Sequence, residues 1–171
     1  AFRRADWPRA IKYSETLSER YRVKYGVDHV LTYVSLLNWG RTLVEAGRPR
    51  EAVDKVLDAH QQLTRIIGAK APQTQDATFV LAMVELELGR VELAQPLIDS
   101  LDANILESFR ALGMWQAAID ALRGIALQKR GDAANTRPLL DRGLDGLKSE
   151  ESLEHPSRLY LLIKSSRAQL G

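Results

Sequence analysis

Apolar residues recur along the chain at helical spacing, in blocks that glycine closes. Val34, Leu37, Gly40 and Val44 share one helical face running up to Gly47, and a glycine there can take the left-handed conformation that ends a helix. Pro49 then opens a second block, because the first turn of a helix has no use for the N–H that proline lacks. Val53, Val56, Leu57, Leu63, Ile66 and Ile67 mark the inner face of this second helix, and Gly68 closes it. Two such blocks joined by a glycine turn predict a helical hairpin.

The hairpin pattern repeats. Gly40 is followed by Ala82 and Gly124, Gly47 by Gly89 and Gly131, Ala52 by Ala94 and Thr136, and Val56 by Ile98 and Leu140, always at a step of 42 residues. Pro96 and Pro138 stand one period apart, and Asp28-His29-Val30 returns 126 residues later as Glu154-His155-Pro156. A register held over that span identifies an internal repeat. The small residues Gly40, Ala82 and Gly124 would let paired helices approach closely, and Ala52, Ala59 and Ala94 would do so from the facing helix.

The first unit carries Leu36, Trp39, Gly40, Leu43, Gly47, Ala52, Val56 and Ala59. In these residues, and in its period, the chain resembles the tetratricopeptide repeat (TPR) in the longer form typified by kinesin light chain and many bacterial proteins. Glu85, Thr136 and the run Leu112-Gly113-Met114 depart from that pattern. The resemblance implies an all-α, right-handed α-solenoid of antiparallel hairpins with about eight helices. Each hairpin has a first (A) and a second (B) helix. Register places a lone B helix at 6–25, full repeats at 29–68, 73–111 and 115–149, and a lone A helix at 155–171. Both ends stop in mid-repeat, so the array is expected to continue in a larger protein or to pair end to end as a homodimer.

Composition narrows the chemistry. At 171 residues and 19.2 kDa, with 45% hydrophobic and 27% charged residues, the chain suits one folded domain. No apolar stretch approaches the ~18 residues of a membrane span, so no membrane insertion is expected. The absence of cysteine excludes thiolate catalysis and Cys-ligated zinc. Charge is nearly balanced, 24 basic against 22 acidic residues. Residues 1–25 hold seven basic and three acidic side chains, without the basic stripe of a nucleic-acid binder. His29 and His155 sit at equivalent junctions and suit local capping. His60 falls between Val56 and Leu63 and suits a core or interface imidazole. There is no paired-histidine motif, phosphate loop or nucleophile constellation, so neither a catalytic residue, a metal nor a cofactor is expected. Trp7 and Trp115, near repeat junctions, read as packing anchors, and Glu51 with Lys55 as an ordinary i,i+4 pair.

The resemblance implies that A helices line a concave face. Candidate partner-binding residues there are Leu37, Asn38, Arg41, Phe79, Val80, Met83, Ile125 and Lys129. Phe79, Met83 and Ile125 either form an open apolar strip for a partner peptide or helix, or pack against neighbouring A helices; a shift of one residue exchanges the two faces. The leading expectation is a protein–protein interaction module. A regulatory or sensory segment of a bacterial transcription regulator or receptor kinase, and a self-association module, stand beside it. A cytoplasmic setting is favoured, with the periplasm open if the chain belongs to a membrane-anchored regulator.

Overall fold

The computed structural model of the protein describes residues 6–110, 112–149 and 157–170, and among these it is all-α, with no strand. Its helices are α1 (Trp7–Tyr25), α2 (Val30–Glu45), α3 (Pro49–Ile67), α4 (Pro72–Glu87), α5 (Val91–Ser100), α6 (Ala103–Phe109), α7 (Trp115–Lys129), α8 (Ala133–Gly146) and α9 (Arg158–Ala168). Three hairpins follow one another: α2 with α3, α4 with α5, and α7 with α8. The second helix of each packs on the first helix of the next, α3 on α4, α5 on α7 and α8 on α9, while α1 packs on α2.

The repeat read from the sequence is also a repeat of hydrogen bonds. Gly47, Gly89 and Gly131 all have positive φ, at 73, 76 and 83°. In each turn the glycine N–H donates to a carbonyl three residues back, and the next N–H donates to one five residues back. The acceptors are Val44 and Leu43, Leu86 and Glu85, Gln128 and Leu127. That double bond pattern satisfies carbonyls that the end of a helix would otherwise leave free. Gly26 and Gly68, one period apart, likewise have positive φ and donate to Arg22 and Thr64, each at 3.0 Å.

Inside the hairpins, small residues set the spacing. A Cβ added to Gly40 would meet Val56 Cγ2 at 2.5 Å, and one added to Gly124 would meet Leu140 Cδ2 at 2.8 Å. These are the same contact two periods apart. Ala52, Ala94 and Thr136 are fully buried beside them, as are Val56, Ile98 and Leu140. Gly143 and Gly146 bring α8 equally close to α7, against Ala121 and Ala117.

Nine helices rather than eight appear among the described residues, because the second helix of the middle hairpin is broken. Leu101 is extended after α5, and Asp102 caps α6 by accepting from the N–H groups of Asn104 and Ile105. A buried side chain holds the break: Gln75 donates to the carbonyls of Ala69 and Ser100 and accepts from Asp102 N–H at 2.9 Å. Its bond to Ala69 repeats, one period on, the one that Tyr33 makes to the carbonyl of Val27.

His29 caps α2 through Nδ1, which accepts from Leu31 N–H; His155 lies outside the described residues. Trp115 is an anchor, buried edge-on to Phe79 at 5.3 Å and donating from Nε1 to the carbonyl of Arg110. Trp7 is half-buried at the start of α1. The expected Glu51–Lys55 pair does not form between side chains. Arg48 takes the Glu51 carboxylate, while Lys55 donates to the backbone carbonyl of Glu51 and lies 4.4 Å from the centre of the Trp39 ring.

Gly40→Val is expected to destabilise the fold by about 2–3 kcal/mol, since overpacking outweighs any gain in helix propensity. Equilibrium urea unfolding tests this, and an unchanged midpoint would contradict the close approach. Amides of α8, with Pro138 inside the helix and two glycines on its packed face, should exchange faster than those of α3. Equal protection of the two helices would argue against it.

Candidate functional site

The first helices of the three hairpins, α2, α4 and α7, touch one another in sequence and form a common face. Five of the eight candidate residues lie buried at this layer: Leu37, Phe79, Val80, Met83 and Ile125. The apolar strip is therefore packed, not open. The physical reason is that α4 is enclosed on all sides: every residue from Thr74 to Leu86, polar ones included, is buried between α2, α3, α5, α6 and α7. Asn38 and Lys129 are exposed, and Arg41 is half-buried. Arg41 donates to Asp76 Oδ2 and ties α2 to α4.

What covers the face is α9. Leu159, Tyr160 and Ile163 of α9 are buried. Around Leu159, a cavity of about 130 Å³ is lined by Arg41, Glu45, Phe79, Met83 and Trp115, among others. Farther along α9, a recess of about 260 Å³ lies between Leu162, Ser165 and Gln169 on one side and Ile125, Gln128 and Lys129 on the other. The helix thus starts over α2 and α4 and ends over the last turn of α7.

Each end of α9 is met by groups of the face or of α8. At the start, Glu45 accepts from the backbone N–H of Arg158 at 2.8 Å, an orphan donor of the first turn. Glu87 accepts from Nε and an Nη of the same arginine, at 3.0 and 2.7 Å. At the far end, Gln128 donates to the carbonyl of Ser166, and Arg137 donates to that of Leu170. Arg167 pairs with Asp141 of α8 at 2.6 Å. The Arg158 guanidinium is held more firmly protonated than usual, chiefly by its hydrogen bond to Glu87.

The fit is polar but incomplete. Glu87 Oε1, Asp76 Oδ1, Arg41 Nε and Trp39 Nε1 are buried without a hydrogen-bond partner among the described residues. Nothing here resembles a metal centre: among the described residues no three histidine or carboxylate groups cluster for an ion. His60 stands apart on α3, with its imidazole pushed below the ordinary value of 6.5 by burial.

No family model matches the chain, and no curated protein matches it. The site therefore rests on its own geometry. Sequence reasoning found the face but missed its occupant. One signal was legible: Glu45 and Glu87 stand one period apart, two acids at a single register position, and Arg158 meets both.

Replacing Arg158 by Met should cost about 1–3 kcal/mol, because it leaves the buried Glu87 carboxylate unpaired. Adding Glu87→Gln to that variant should recover part of the loss. A double-mutant cycle by urea unfolding measures both, and additive effects would show that the two groups do not interact. Because burial holds the native imidazole of His60 below 6.5, its contribution to stability is full above that pH. It falls as the pH drops from 6.5 through the lower native value. His60→Gln should flatten this part of the stability curve, which a series of unfolding curves across about pH 5–7 would read.

Proposed function

We propose that the chain is a TPR-like protein–protein interaction module whose α2/α4/α7 face receives a helical segment. The observation that carries this reading is the seat of α9. The face accepts a helix along its length, caps its first turn through Glu45, pairs its leading arginine through Glu87 and bonds its last turn through Gln128. Those are recognition contacts for a helix, made by side chains on three separate elements.

Stacked hairpins with nearest-neighbour contacts support the same reading, since such arrays present extended surfaces on few residues per unit. The repeated glycine turns and the Gly40 and Gly124 contacts support the resemblance to TPR hairpins. On this reading Asn38 and Lys129 are the candidate residues left accessible to a partner, and the buried apolar candidates shape the seat from beneath.

Site-specific photo-crosslinking tests it. A crosslinker at Lys129 or Gln169, beside the seat, is expected to capture a protein partner in cells. The same group at exposed Leu57 or Leu93, on second helices, should capture none. Equal labelling from all four positions would refute the reading.

A further inference from the structure

We propose that the free face of α1 docks an acidic amphipathic helix from a partner polypeptide, which packs on α1 as α2 packs on α3. The proposal concerns the opposite end of the chain from α9 and does not depend on what the α2/α4/α7 face binds.

Register defines the face. Shifted by 42 residues, Ala10, Ser14, Leu17 and Tyr21 of α1 fall on Ala52, Val56, Ala59 and Leu63 of α3. Those four α3 residues are fully buried, and Val56 is where Gly40 of α2 crosses. In α1 the corresponding residues are only partly covered. Tyr13, which corresponds to the Lys55 that lies over Trp39, is 70% exposed. Thus α1 carries the side chains of a second helix, while no first helix stands against them among the described residues. A shallow groove of about 420 Å³ lies at the edge of this face, where Leu17 lines it together with Arg9, Lys12, Tyr13, Thr16 and Arg20.

Charge decides what fits. Arg9, Lys12 and Arg20 border the groove. Lys12 is paired with Glu15 at 3.0 Å, but Arg9 and Arg20 have no carboxylate partner among the described residues. A covering helix must offer an apolar stripe to Tyr13 and Leu17, a small residue where it crosses Ser14, and carboxylates at its margins. A second copy of α1 would set like charges against each other, so it fits poorly.

The chain itself supplies a probe of this chemistry. Residues 72–87 form a first helix with Ala82 at the crossing position, and carry Asp76, Glu85 and Glu87 with no lysine or arginine. Residues 30–45 have the same register with Gly40 at the crossing, but one basic and one acidic side chain, Arg41 and Glu45. Both can be made as capped, fluorescently labelled peptides and titrated with the full chain by anisotropy.

The acidic peptide should bind saturably and more tightly than the neutral one. The Arg9→Glu/Arg20→Glu variant should weaken it about tenfold or more, as expected for two lost charge pairs plus two repulsions. Tyr13→Asp, at a site exposed enough to leave the fold intact by circular dichroism, should weaken both peptides. Absence of saturable binding would overturn the proposal, and so would binding that neither variant changes. Light scattering that shows a dimer of the full chain, lost in Tyr13→Asp, would also overturn it and assign the face to a second copy.

Discussion

Where Gly40 crosses Val56, a single added methyl group would lie 2.5 Å from a valine carbon, well inside van der Waals contact. That spacing is the constraint on which the hairpins rest. Close axes let Ala52 and Val56 on one helix mesh with the other at full burial, and dispersion falls off steeply with any gap. The glycine turn is the second half of the device. Positive φ at Gly47 brings the chain back, and bonds from Gly47 and Arg48 N–H close the end of α2 before α3 begins. With the turn repeated two further times at one period, and the crossing glycine once more at Gly124 with Ala82 in the middle unit, the rest of the stacking follows.

The face made by the first helices carries a different kind of order. Its apolar layer is packed, and its polarity is concentrated in a few buried carboxylates. Asp76 faces Arg41 and Glu87 faces Arg158, yet one oxygen of each acid lacks a partner. An ionised group out of water is stabilised only if its lone pairs are met. Part of the energy with which α9 holds its seat is therefore offset by groups it does not satisfy. A helix with more donors in its first turn would be the better ligand for the same carboxylates.

The hairpins, the turns and the period were legible in the sequence, because they depend on local chemistry: glycine at a left-handed turn, proline at a helix start, small residues at a crossing. The break at Leu101 was not. It depends on Gln75, a polar residue in an apolar helix, whose side chain reaches backbone groups 25 and 27 residues away. The candidate face was found in the right helices but its exposure was left open between two faces, since apolar and polar residues of α4 are spread around the whole helix and give no periodic clue to which side meets solvent. The path of α9 was hidden for the same reason that long-range pairs usually are: Glu45, Glu87 and Arg158 follow no local pattern that joins them.

The bond from Arg158 N–H to Glu45 spans 113 residues in a stack where most other contacts join neighbours. A linear stack can lose its units one at a time from either end, because each interface reports only to the next. A tie between the first hairpin and the last helix changes that topology from an open row to a closed loop. Fraying at one end then releases contacts at the other, so the units melt together more than their separate interfaces would require. The same tie raises the sequence separation that folding must bridge, and α9 should be the last element to find its place.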